Sequence, residues 1–99
     1  MDSIRCKECD HEIYYKPCAN FIMFCQKCLK YTYLECEFGY GSVAPCHIYL
    51  GKKKIGVVIE KEYSYFLKTR YADKIIKLER KYLEALQEAI KIIESKIEN

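Results

Sequence analysis

The 99-residue chain predicts an α+β fold: a small β module, a β-hairpin, and one long C-terminal α-helix. Three observations predict it. Two Cys-x-x-Cys knuckles lie close together near the N-terminus. Runs with a period of two surround and follow them. From about residue 65 to residue 97 there is neither Gly nor Pro, and Ala, Leu, Lys, Glu and Ile dominate. The predicted division is residues 1–62 for the β module with its hairpin and residues 63–99 for the helix.

The knuckles are Cys6-Lys7-Glu8-Cys9 and Cys25-Gln26-Lys27-Cys28, separated by fifteen residues. Four thiolates at this spacing suit one tetrahedral Zn²⁺. Such a site has no open position for water or substrate, so it implies structure and not turnover. Structural zinc in small modules contributes on the order of 10–16 kcal/mol, against a net stability of about 5–15 kcal/mol for a whole domain. The first forty residues should therefore unfold without metal. A thioredoxin-like redox pair is the rival reading, but it belongs beside a βαβ pattern that is missing here.

Between the knuckles, Glu12-Ile13-Tyr14-Tyr15 reads as a strand stopped at Pro17, and Asn20 to Phe24 is an apolar run entering the second knuckle. Beyond it, Tyr31 and Tyr33 alternate with Thr32, Leu34, Cys36 and Phe38, the pattern of a strand. A strand on the exit side favours a zinc ribbon over a treble clef, which would open a helix near Cys25. Gly39, Gly41, Ser42 and Pro45 mark a loop, and His47–Leu50 and Ile55–Ile59 a hairpin around Gly51-Lys52-Lys53-Lys54, with Gly56 weakening the second arm.

The helix would span about 50 Å at 1.5 Å per residue, with Ser64 or Thr69 as N-cap. Its apolar arc includes Tyr71, Ile75 and Leu78 and is wider than one core contact requires. Leu83, Leu86, Ile90, Ile93 and Ile97 keep a seam-like spacing, which makes them candidate interface residues for a partner protein or a second copy. Arg70, Lys74, Lys77 and Lys81 share a polar stripe, and with Lys52, Lys53 and Lys54 they form a candidate basic patch for nucleic acid or an acidic surface. Residues 68–81 carry six bases and two acids, and residues 82–99 two bases and four acids, a polarity opposed to the helix dipole.

Cys18, Cys36, Cys46, His11 and His47 have no assigned role. Structural cysteines are one reading, a second zinc site or swapped ligands the other. Catalysis finds no motif: no Gly-rich phosphate loop, no HExxH and no recognisable carboxylate pair, so the chain is read as no enzyme and no small-molecule substrate is expected. Lys plus Arg number 17 against 14 acids, a mild +3. No apolar run approaches the roughly 18 residues needed to span a membrane. With seven cysteines and no export signal, a reducing cytoplasmic compartment is expected. The heavy use of Lys, Ile, Tyr and Glu is the mark of an AT-rich coding genome, as in many bacteria, phages and other viruses.

Residues 4–28 resemble the zinc-ribbon superfamily, and specifically the small Com-type zinc-finger regulators of phages, which act on nucleic acid. The resemblance implies Cys6, Cys9, Cys25 and Cys28 as ligands and nothing further. Asp10 and Leu29 stand where that family has Gly after each knuckle, and the helical tail has no counterpart there. The first functional expectation is a protein-interaction or inhibitor module, phage- or virus-encoded, using the helix face and a Tyr-rich ribbon (ten tyrosines). The alternative is a nucleic-acid-binding transcriptional or translational regulator using the basic residues, with tyrosines as stacking platforms.

Overall fold

Strand β3 (Phe21–Phe24) is buried at all four positions, and the rest of the fold is layered on its two faces. In the computed structural model, which describes residues 2–16, 20–35 and 45–97, β3 lies second in a six-stranded sheet. It pairs antiparallel with β4 (Tyr31–Glu35) and parallel with β5 (Cys46–Leu50). An antiparallel run continues through β6 (Lys53–Lys61), β7 (Ser64–Thr69) and the short β8 (Ile76–Lys77). Strands β1 (Asp2–Arg5) and β2 (Glu12–Tyr15) form a separate hairpin. Helix α1 (Tyr82–Ile97) closes the described chain.

Successive side chains of a strand point to opposite faces, so β3 divides its four apolar residues between two cores. Ile22 and Phe24 join Cys46, Ile48, Ile55, Val58 and Leu67 beneath α1, which contributes Ala85, Leu86, Ala89, Ile90, Ile93 and Ile97. Phe21 and Met23 face the other way and pack with Ile13, Cys6 and Cys25 of the knuckle hairpins. The order is helix, sheet, hairpin. A short continuous apolar run is what such doubly covered strands need.

The α+β class and the sequence of β module, hairpin and C-terminal helix are as expected. The helix is shorter than expected, beginning at Tyr82 and not near residue 65. Residues 64–69 are instead strand, with Gly56↔Thr69 through Lys61↔Ser64 in register. The physical reason lies in β6, whose nine residues would otherwise leave a long row of unpaired backbone groups. Tyr65, Leu67 and Thr69 alternate toward the helix side, and a period of two outweighs the lack of Gly or Pro. Ser64 and Thr69 accordingly cap no helix. Thr69 Oγ1 donates to Ile55 C=O at 2.8 Å, and Arg70 N–H reaches the same carbonyl at 3.2 Å. Both bonds serve the bulge where β6 slips against β5, between Ile48 and Tyr49. There Gly56 is needed: a Cβ would stand 3.0 Å from Lys68 C=O and 3.2 Å from Thr69 Cβ.

With the helix shortened, its charge order also reverses. Glu84 lies in the first turn and Lys96 in the last, which complements the dipole. Glu88 folds back to accept the Glu79 N–H at 2.8 Å. The β6–β7 turn uses Glu62 (φ 52°) and Tyr63 (φ 65°), a left-handed pair without glycine that costs about 1–2 kcal/mol per residue. Among the described residues no helix is long and apolar enough to cross a membrane.

Leu86 is fully buried, whereas Leu83, less than one turn earlier in the helix, is 44% exposed. Leu86→Asp should abolish cooperative urea unfolding by burying an unpaired charge. Leu83→Asp should shift stability by no more than about 0.5 kcal/mol. Equal effects of the two would show that α1 does not pack as described.

Candidate metal centre

Each knuckle sits at the turn of a hairpin, and the two turns repeat each other with an offset of nineteen residues (Cys6 to Cys25, Asp10 to Leu29). Cys6 N–H donates to His11 C=O at 2.9 Å, and Cys25 N–H to Lys30 C=O at 2.9 Å. Asp10 N–H donates to Cys6 C=O at 3.0 Å, and Leu29 N–H to Cys25 C=O at 2.8 Å. Asp10 and Leu29 both adopt the left-handed backbone that glycine would take there, with φ of 62° and 65°. The departure from glycine thus leaves the turn intact, at a cost of about 1–2 kcal/mol in each. The repeat covers whole hairpins, further than the doubled motif alone suggests.

These turns bring four sulfurs together. The Sγ atoms of Cys6, Cys9, Cys25 and Cys28 all lie within 4.8 Å of one another. Cys6 and Cys28 are 3.5 Å apart, Cys9 and Cys25 3.6 Å, and all four are free thiols. A tetrahedron with Zn–S bonds of about 2.3 Å has edges of about 3.8 Å. A disulfide needs about 2.05 Å. The spacing fits a shared cation such as zinc and does not fit disulfides.

Without a cation the cluster resists full ionisation. Burial raises the Cys6 thiol, but backbone N–H groups of Cys9 and Glu8 and the neighbouring sulfurs of Cys28 and Cys9 outweigh it and bring the group to about 6. Cys28 is pushed up to about 12, by burial first; the Lys30 N–H opposes this, and the sulfurs of Cys6, Cys9 and Cys25 add to it. At Cys9 the His11 N–H lowers the pKa, but burial and the sulfurs of Cys25 and Cys6 leave it raised. One thiolate forms readily, and each further one meets the charge of the last. A divalent ion at the centre removes that penalty.

Contacts around the cluster lock the hairpins to each other. Thr32, buried on β4, accepts the Lys7 N–H at 2.9 Å and so ties the first knuckle to the second hairpin. His11 Nε2 meets Gln26 Nε2 at 3.3 Å. Gly51 (φ 62°) donates its N–H to Phe24 C=O at 3.0 Å, and a Cβ there would come within 2.8 Å of Gln26 Oε1. The sequence reading put Thr32 in a strand and Gly51 in a turn but gave neither a part in the site. The signal for Thr32 was its place between Tyr31 and Tyr33 in a period-two run.

The remaining candidate residues divide. Cys46 is buried beneath the helix, in the core that excludes the four-cysteine cluster, and His47 points to the opposite face of β5. Among the described residues, Cys6, Cys9, Cys25 and Cys28 are the one group of three or more metal-ligating side chains. Cys18, Cys36 and most of the loop at 39–46 lie outside the described residues. The basic stripe is not a helix face: Arg70 follows β7, Lys74 lies in a loop, Lys77 is in β8 and Lys81 precedes α1, all of them exposed. Lys52 is in the β5–β6 turn, and Lys53 and Lys54 open β6. Leu86, Ile90, Ile93 and Ile97 are core residues of this chain, so the seam expected to meet a partner is occupied by its own sheet. Leu83 alone of the five is exposed.

No protein-family model matches the chain, and neither do curated proteins or solved structures.

Because Cys28 sits so high without metal, metal uptake near neutral pH must expel protons. In chelator competition with Zn²⁺, affinity should fall at least about tenfold per pH unit between pH 8 and 6, the slope of one displaced proton. A pH-independent affinity would mean that thiols are not the ligands.

Proposed function

We propose that the chain is a zinc-stabilised, non-catalytic binding module of zinc-ribbon type that takes nucleic acid on the open face of its sheet. The observation that carries this reading is the register of β5 to β8. On the face turned away from α1, Val57 stands between His47 and Lys68, and Phe66 between Ile59 and Lys77. Tyr49 and Lys54 are partners in the next row. Three exposed lysines thus stand over a bed of half-buried aromatic and aliphatic side chains, about 14 Å across at 4.8 Å per strand. None of these lysines forms an ion pair among the described residues. Cations over aromatic surface suit a phosphate backbone whose bases are within reach. Zinc, held by four thiolates with no position left for substrate, would serve the scaffold.

A protein partner, the first expectation from sequence, keeps one supporting observation after the loss of the helix seam. Tyr63 is 96% exposed at the strained β6–β7 turn, the kind of aromatic tip that anchors interfaces.

Salt separates the two readings. Binding of a fluorescein-labelled oligonucleotide should weaken with salt, with a log–log slope near −2 from three phosphate contacts at about −0.7 each. The combined Lys54→Gln, Lys68→Gln and Lys77→Gln variant should flatten that slope while keeping its metal. Undetectable oligonucleotide binding at about 50 mM salt would sink this proposal, and salt-tolerant capture of a protein lost on Tyr63→Ala would favour the other.

A further inference from the structure

We infer that the cleft between the β1–β2 hairpin and the sheet holds one unstacked base of a single-stranded nucleic acid, an inference that rests on the nucleic-acid reading above. The cleft has a volume of about 260 Å³ and is lined by Tyr15, Lys16, Phe21, Met23, Tyr49, Gly51 and Lys52.

Its parts are arranged by polarity. Phe21 and Met23, 2% and 0% exposed, form an apolar floor. Tyr15 and Tyr49, half-buried, form aromatic walls, and the Tyr15 ring is braced by Phe21 at a centroid distance of 5.0 Å. Lys16 and Lys52 are exposed cations at the rim, and among the described residues no carboxylate lines the cleft. Gly51 has no side chain to narrow it.

An apolar floor with aromatic walls accepts a flat ring through its faces, which every base offers. The rim lysines suit the phosphates on either side of that ring. From Lys52 the positive charge continues through Lys54 to Lys68 and Lys77 on the open face, so a chain of phosphates is matched better than a lone anion. A volume below the roughly 300–1,000 Å³ of drug-sized ligand sites suits one ring system and not a larger ligand. Duplex bases are stacked and paired, which leaves them unable to enter, so the cleft selects single strands.

The test compares two fluorescein-labelled probes of about 12 nucleotides, within the range of known single-strand site sizes: oligodeoxythymidine and an abasic strand with the same phosphates. Anisotropy titrations at about 50 mM salt should show the base-bearing strand bound at least about 5-fold tighter, the lower bound for one stacked base. Tyr49→Leu, with metal content and far-UV circular dichroism unchanged, should bring the two affinities together by weakening the base-bearing strand more than the abasic one. Tyr15→Leu gives the same readout where Tyr49→Leu fails to fold. Equal affinity of the wild type for both strands, or equal affinity for a duplex, would overturn the base cleft while leaving the nucleic-acid reading standing. Binding to none of the three probes, or to oligoglutamate of equal charge as tightly, would overturn both.

Discussion

Four sulfurs within 4.8 Å of one another are the constraint on which the rest depends. The β1–β2 hairpin is four residues per strand, too small to hold itself together in water. Its strands bring only Ile4, Ile13 and Tyr15 to the second core. What holds it against Phe21 and Met23 is the shared cluster, helped by the bond from Lys7 to Thr32. A cation joining the two knuckles would therefore close one face of β3, as α1 closes the other. Loss of either cover exposes half of the strand.

This division of labour explains why a 99-residue chain carries two small cores. Beneath the helix, branched aliphatic residues of β5, β6 and β7 bury one continuous surface with conventional packing. Around the knuckles the buried apolar residues are fewer, and a cation held by the four cysteines would make up for the smaller area. Among the described residues the hairpin packs on β3, β4 and the Tyr49 end of β5, and no element covers the same face of β6–β8. The surface proposed to bind nucleic acid and the four-cysteine cluster are thus linked by geometry, since the hairpin that carries Cys6 and Cys9 forms one wall of the cleft.

Much of this was legible in the residues. Cys-x-x-Cys twice at short range has few other physical solutions, and the apolar run into Cys25 and the β-branched Ile55–Ile59 segment announced their strands. The error over residues 64–81 has a specific cause. A segment free of Gly and Pro and rich in Lys and Ile suits a helix locally, and the need of β6 for a partner is not a local property. The left-handed Glu62-Tyr63 turn has none of the residues that announce a hairpin, so β7 was hidden. The sequence reading singled out Lys54 and Lys77 but not Lys68, and it placed Lys77 on a helix stripe that is strand β8. Register, set by the bulge beside Gly56, is what brings Lys54, Lys68 and Lys77 together, and no periodicity in one segment could have shown it.

X-ray absorption at the zinc K-edge of the purified protein tests the central claim most directly. Four sulfur neighbours at about 2.3 Å, with no nitrogen or oxygen in the first shell, are the predicted result. A mixed shell containing imidazole or water, or no zinc at all, would contradict an account in which four thiolates alone clamp the two hairpins.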